Sequence, residues 1–276
     1  MKKNVKTLDK KVALFCGALQ LPFVARDCLI AQGYDVYTIG LKNFFDPALK
    51  PDLVIRLGGG GTAARECKRR GIKNLVFVGA LGHVNLSDVR PDVWSMSVFM
   101  RVLANQKGDD SMLCTVINGI ESKGFKILGI QELCPELTFS PGVQTREKPT
   151  KDDQKIIDRA VQVSKMIGAE DIGHSTVVDR QVLAVEAAEG TAEMFKRVIA
   201  IKNRGRARKP SGVFAKMTKP KQNLRIDLPA IGVDTVRDVV AARLRGIVVN
   251  AGTCLVIDRA AVLATADKAG IFIVAL

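Results

Sequence analysis

The stretch Lys216-Met217-Thr218-Lys219-Pro220-Lys221-Gln222-Asn223-Leu224-Arg225-Ile226-Asp227-Leu228-Pro229 sets several cations around a single carboxylate. Leu224–Leu228 reads as a strand, and at period two Arg225 and Asp227 project to one face. Arginine can grip a phosphate bidentately, while aspartate can hold a metal ion or orient a water molecule. The same two residues also read as a salt bridge at a strand end. Two glycine loops offer a second kind of chemistry. Gly17 follows one apolar strand, but it is a single glycine where a dinucleotide fingerprint wants three. Gly58-Gly59-Gly60-Gly61 precedes a helical stretch, where backbone N–H groups can face a phosphate or simply make a flexible turn. Asp109 and Asp110 follow Gly108 at a helix start; they suit either Mg²⁺, which prefers hard oxygen ligands, or the cap of an ordinary helix. Two histidines, His83 and His174, and no GxSxG motif argue against both a zinc centre and a serine hydrolase.

Positioning these groups requires alternating strands and helices. Strand-like segments at Lys11–Cys16, Tyr34–Gly40, Asp52–Leu57, Asn74–Ala80 and Phe125–Ile130 are separated by helical stretches at Leu21–Gln32, Thr62–Arg70 and Asp109–Lys123. That alternation predicts an α/β fold: a Rossmann-like amino-terminal domain over residues 1–134, with a mainly parallel sheet. Prolines 135, 141 and 149 mark residues 135–152 as a linker. Residues 153–276 then form a second α/β domain with a mixed sheet. Its expected parts are a helix at Lys155–Met166, two short strands within Thr176–Glu186, a helix at Thr191–Lys202 and a strand at Val213–Met217. Leu224–Leu228 follows as a strand, then a helix capped by Asp234, strands at Ile247–Val249 and Leu255–Ile257, a helix from Arg259, and a final strand at Ile271–Val274.

The composition fits a folded globular chain: 276 residues, 47% hydrophobic and 25% charged. The six cysteines form no CxxC pair and read as scattered reduced thiols of a reducing, cytoplasmic compartment. Lys10-Lys11 and the uncharged Val12–Ala25 have the outline of a signal peptide. Gln20 and Pro22 interrupt it, however, and a second apolar segment follows at strand-helix-strand spacing. No uncharged run approaches the ~18 residues of a membrane-spanning helix. Of a net charge of +14, eleven positive charges fall between Lys196 and Arg225, where no Asp or Glu occurs. A local basic field focuses an anion, whether phosphate, nucleic acid or acidic membrane.

The second half closely resembles the carboxyl-terminal domain of the LpxI-type UDP-2,3-diacylglucosamine pyrophosphatases. The matching residues are Asp171-Ile172-Gly173, Val182–Ala187, Glu189-Gly190-Thr191, Lys216–Pro220, Leu224–Pro229 with Ile231-Gly232, and Gly270-Ile271-Phe272. The first half is similar to that family's Rossmann-like domain at Gly17, Leu21-Pro22 and Gly108-Asp109-Asp110. The resemblance implies a hydrolase of lipid A biosynthesis in which water attacks the α-phosphate of UDP-2,3-diacylglucosamine, Mg²⁺ assisting. UMP and 2,3-diacylglucosamine 1-phosphate are released. It implies Asp227 as the catalytic residue and Gly17, Leu21, Thr191, Lys216, Lys219, Gln222 and Arg225 as substrate-binding residues. The metal would fall to Asp227, Glu189, Asp109 and Asp110. A homodimer and a weak contact with the inner-membrane surface accord with it.

The chain departs from that pattern at Leu19, where the family usually has glycine, and at Gln20, where it has an acidic residue. It departs again at His174, Ala192, Asn223 and Asn250, where Gln, Asp, Asp and Glu are common. Lost carboxylates can shift metal affinity or weaken the enzyme; Asp227, Arg225 and Thr191 persist. Two other function classes compete. A nucleic-acid-binding module would use the basic stretch, but aromatics make up 5% of the chain and Phe214 is the only one in that stretch, so base-stacking platforms are scarce and no nucleic-acid partner is expected. An oxidoreductase on the Rossmann-like domain lacks the expected glycines.

Overall fold

The computed structural model describes residues 9–81, 89–104, 109–204, 209–220 and 222–276. The chain divides into two compact units. The first is Met1–Cys134 with Asn223–Ile226; the second is Pro135–Gln222 with Asp227–Leu276.

The first unit runs β1 (Lys11–Cys16), α1 (Leu21–Ala31), β2 (Asp35–Leu41), β3 (Leu53–Ile55), α2 (Gly60–Arg69), β4 (Asn74–Val78), α3 (Val93–Ala104), α4 (Asp109–Glu121), β5 (Lys126–Ile127) and α5 (Ile130–Leu133). All strand pairs are parallel, and the order β3-β2-β1-β4-β5 is Rossmann-like. β1 is buried almost throughout, as a strand covered on both faces must be. One face carries Phe15, Ile39, Ile55 and Leu75, packed with Ala63 and Cys67 of α2 and Ile117 of α4. Burial pushes the Cys67 thiol up to about 11 and the Cys16 thiol up to about 12, so neither is a ready nucleophile.

Between β1 and α1, Leu19 takes φ of +73° with its side chain in solvent. A β-carbon in the left-handed region costs about 1–2 kcal/mol, while glycine adds about 0.4–1 kcal/mol of unfolded-chain freedom. Leu19→Gly is therefore expected to leave thermal stability unchanged or raise it by up to ~1 kcal/mol, as a melting curve would show.

The second unit runs β6 (Gly142–Val143), α6 (Lys151–Ala169), β7 (Ser175–Val178), β8 (Val182–Val185), α7 (Gly190–Arg204), β9 (Val213–Lys216), β10 (Ala230–Ile231), α8 (Val233–Ala241), β11 (Gly246–Val249), β12 (Leu255–Val256), α9 (Arg259–Ala269) and β13 (Phe272–Ala275). Its main sheet is mixed, in the order β6-β13-β11-β9-β7-β8, with β9, β11 and β13 parallel and β6, β7 and β8 antiparallel to their neighbours. β10 and β12 form a separate parallel pair. Alternation along the strands feeds two cores. Val213, Ala215, Val248 and Phe272 meet α6, whereas Phe214, Ile247, Val249 and Ile273 meet residues of α7, α8 and α9.

Three expectations need correction here. Residues 135–152 are not a free linker: they group with the second unit, β6 pairs with β13, and Phe139 lies in the core. Leu224–Leu228 is not a strand: residues 224–226 form a turn, and this segment pairs with no sheet. Asp234 lies inside the first turn of α8, whose cap is Gly232, with the Gly232 N–H donating to Thr235 Oγ1 at 3.3 Å.

Candidate active site

In the second unit, the polar groups gather at the carboxyl ends of β9 and β11. Open α/β sheets commonly hold ligands beyond this edge. β7 runs antiparallel to β9, with Ser175 opposite Lys216, so the start of β7 reaches the same edge and delivers His174 there. Gly173, just before it, lies so close to β8 that a β-carbon would sit 2.2 Å from the Glu186 carbonyl oxygen. Only glycine allows that approach.

Asp227 is held by Gln222. The Gln222 side-chain amide donates to Asp227 Oδ2, and its nitrogen lies 3.4 Å from His174 Nε2. Gln222 Oε1 in turn accepts from the Lys219 N–H at 3.0 Å. His174 Nδ1 sits 3.2 Å from the Met217 carbonyl oxygen, an acceptor only, so Nδ1 carries the proton and the lone pair is on Nε2. That lone pair faces Asp227 Oδ2 at 3.9 Å. Burial, together with the Lys219 and Lys216 cations, holds the imidazole below its usual range; Asp227 pulls the other way but does not prevail. Two proton acceptors, one carboxylate and one neutral imidazole, thus share one positioning amide.

A second cluster lies beside the first. Lys216 Nζ donates to Thr191 Oγ1 at 2.9 Å, and Thr191 Oγ1 donates to Glu186 Oε1 at 2.6 Å. Burial raises the Glu186 carboxyl, but Lys216 and the hydroxyls of Ser175 and Thr191 outweigh it and hold the group below the usual range. Asn250 Oδ1 accepts from both the N–H and the hydroxyl of Thr218, at 2.8 and 2.9 Å, which fastens the loop carrying Met217 and Lys219. Lys219 Nζ is bonded to Asp171.

The structure brings together Asp227, Gln222, Lys216, Lys219 and Thr191 of the expected site residues. It adds His174 as a site group and Glu186, which no local spacing ties to the others. Glu189 is instead engaged by Arg197, and among the described residues no group of three His, Cys, Asp or Glu ligand atoms within 4.8 Å contains Asp227 or Glu189. Asp109 and Asp110 open α4; their side chains lie outside the described residues. Arg225 does not share a strand face with Asp227. It groups with the first unit, where its guanidinium donates to Glu121 Oε1 at 2.8 Å and Asn223 Oδ1 at 3.2 Å.

In the first unit, Leu21 opens α1. The Gly17 N–H donates to Val78 O at 2.8 Å, and a β-carbon there would lie 2.6 Å from Ala80 O, so the residue serves the approach of two strand ends. The Gly58–Gly61 run is likewise occupied. Gly60 N–H donates to Ser95 Oγ at 3.1 Å and Gly61 N–H to Asp92 Oδ2 at 2.7 Å. Asp92 Oδ1 also accepts from the Ser95 N–H at 2.8 Å, so one carboxylate caps both α2 and α3. The phosphate-cradle reading of these glycines gives way to a close junction between two helices.

A Rossmann-order parallel unit followed by a mixed-sheet unit with a carboxylate, imidazole and ammonium cluster at its strand ends defines a two-unit α/β enzyme architecture. Residues 11–137 match the LpxI N-terminal domain and residues 140–274 match the LpxI C-terminal domain. The chain belongs to the LpxI family. The UDP-2,3-diacylglucosamine pyrophosphatase LpxI of Caulobacter vibrioides is 37% identical to it over 270 residues, which cover 96% of each chain.

Proposed function

We propose that this protein hydrolyses the diphosphate of UDP-2,3-diacylglucosamine to UMP and 2,3-diacylglucosamine 1-phosphate. The observation that carries the reading is Asp227 and neutral His174 oriented by Gln222 beside Lys216 and Lys219, in a chain of this family. Water forms a new P–O bond, the bridging P–O bond breaks to release a phosphate oxygen, and a proton leaves the water. Asp227 and His174 are acceptors for that proton, and general-base help of this type contributes about 10²–10⁴ in rate. The ammonium groups of Lys216 and Lys219 offset charge that grows on the phosphate oxygens. Incubation with UDP-2,3-diacylglucosamine and assay for UMP tests the reading; absence of UMP with well-folded protein would overturn it. Hydrolysis in ¹⁸O water locates the attack. Label in UMP marks the α-phosphorus, the expectation stated above, whereas label in the sugar phosphate marks the β-phosphorus.

Mg²⁺ is part of the proposal. It is commonly held by one or two carboxylates together with substrate phosphates, and Asp227 is the carboxylate this site offers; Glu189 is not available while it binds Arg197. When bound, the ion would neutralise phosphate charge. Chelation by EDTA is expected to abolish UMP release and excess Mg²⁺ to restore it. Full activity after exhaustive chelation would assign the charge stabilisation to the lysines alone.

Contact with an anionic membrane surface is also proposed, through the basic loop after α7. Arg204 and Lys209 are exposed; Arg206 and Arg208 lie outside the described residues. No helix among the described residues is long and apolar enough to cross a membrane. Juxtamembrane basic residues contribute roughly 1 kcal/mol each at such a surface. Neutralising these four should weaken sedimentation with phosphatidylglycerol vesicles and spare turnover in detergent; equal vesicle binding would dismiss the contact.

A further inference from the structure

We infer that Glu186 is a positioning residue for the proposed reaction: through the Thr191 hydroxyl it fixes the Lys216 ammonium where phosphate charge develops. The inference deepens the activity proposed above and rests on it for the phosphate, though not for the arrangement itself. Three elements of the second unit converge here. Glu186 follows β8, Thr191 lies in the first turn of α7, and Lys216 ends β9. The Glu186 N–H donates to Ser175 O at 2.9 Å, and Gly173 lies against the Glu186 carbonyl, so the backbone that carries the carboxylate is held from β7. Glu186 is 9% exposed, while Thr191 and Lys216 are half-buried.

Chemistry sets the direction of this relay. An ionised carboxylate only accepts, an ammonium only donates, and a hydroxyl has a single proton. The Thr191 proton therefore goes to Glu186 Oε1 at 2.6 Å, and the oxygen lone pair is turned to Lys216 Nζ at 2.9 Å. With one N–H committed to Thr191 and the ammonium half-buried, its other donors can meet phosphate oxygens. Remove Glu186 and the hydroxyl is free to rotate, so the long lysine side chain regains rotamer freedom that substrate must then take away. Charge adds to geometry: among charged neighbours, Lys216 acts most strongly on the Glu186 carboxylate, and the attraction is mutual. A preset cation acts where charge grows on the way to the transition state, with no reorganisation left to make. A buried glutamate kept only for stability would be indifferent to whether Lys216 is there.

Glu186→Gln keeps the size of the side chain and removes both its charge and the fixed proton direction. It is expected to lower kcat for UDP-2,3-diacylglucosamine about tenfold, with KM within about threefold of the parent. In a Lys216→Met background the same substitution should change kcat by less than about twofold, because the group it positions is gone. Equal losses in both backgrounds would make Glu186 a structural residue and overturn the inference. A second readout follows Lys216 without turnover: acetic anhydride acylates the free amine of lysine, and mass spectrometry maps the sites. Loss of the Glu186 charge makes the ammonium easier to deprotonate, so labelling of Lys216 should rise about threefold or more relative to exposed Lys155. An unchanged ratio refutes the positioning, and where Lys216→Met turns over too slowly to assay, this ratio decides alone. Should Glu186→Gln fail to fold, Thr191→Val cuts the same relay and decides by the same measurements. The two readings fail separately. Faster labelling in a protein whose parent releases no UMP removes the proposed reaction alone, and UMP release with unchanged labelling removes the positioning alone.

Discussion

Asp227→Ala is expected to lower kcat on the order of 10²–10⁴ while leaving the fold and substrate binding in place. The carboxylate is only partly buried and is held from one side by the Gln222 amide, so its removal leaves no large void and no buried charge. What is lost is one of two proton acceptors and the carboxylate proposed for the metal. His174 would remain, still bonded to the Met217 carbonyl, which is why residual turnover is expected rather than none. Steady-state release of UMP by purified variant and parent measures the effect. Activity within tenfold of the parent would make Asp227 a structural partner of Gln222 and move the chemistry elsewhere.

Lys202→Met is expected to cost about 3–5 kcal/mol of stability, because it breaks a buried pair from one side. Lys202 Nζ donates to Asp179 Oδ2 at 2.9 Å, to Ser211 O at 2.7 Å and to Ser211 Oγ at 3.0 Å. The lysine and aspartate side chains are 8% and 19% exposed, so water cannot replace the lost cation. Burial raises the Asp179 carboxyl, but Ser211 and Lys202 outweigh it and hold it ionised. Thermal and urea unfolding should both show the loss. Pairing Lys202→Met with Asp179→Asn should recover much of it, since the stranded charge is then gone. A loss under about 1 kcal/mol would class Lys202 as an ordinary surface cation.

Lys202 also shows where reading along the chain stops. In sequence it is one of eleven basic residues from Lys196 to Arg225, which together suggest a single anion-binding field. In space they are divided among tasks. Lys196 pairs with Glu193, Arg197 with Glu189, Lys202 with Asp179 and Lys219 with Asp171, while Arg225 belongs to the other unit. A charge count cannot see partners such as Asp179 and Asp171, which lie 23 and 48 residues from Lys202 and Lys219. The strand-helix alternation of the first unit and most of the second was legible, because each element buries a periodic apolar face. Helix α3 escaped notice: Val93, Met96, Met100 and Leu103 stand exposed, which erases the contrast between its faces. Leu224–Leu228 misled for the opposite reason. Its alternation resembles a strand, yet Ile226 packs against the first unit's core and Asp227 belongs to the second. Gln222, Lys216 and Asp227 were visible as one local motif, whereas His174 and Glu186 join them only through the pairing of β7 with β8 and β9.

The short excursion of residues 223–226 bears on how the chain is made. Residues up to Cys134 leave the ribosome about ninety residues before Asn223 does, a delay of roughly 5–20 s at ordinary elongation rates. For that interval the nascent amino-terminal unit lacks Ile226 against its apolar wall and the Arg225 partner of Glu121. It must persist in an unfinished form until the last fifth of the polypeptide emerges, and a transcript truncated between codons 134 and 226 yields a first unit with its apolar cavity, of which Ile226 is one wall, left partly unlined.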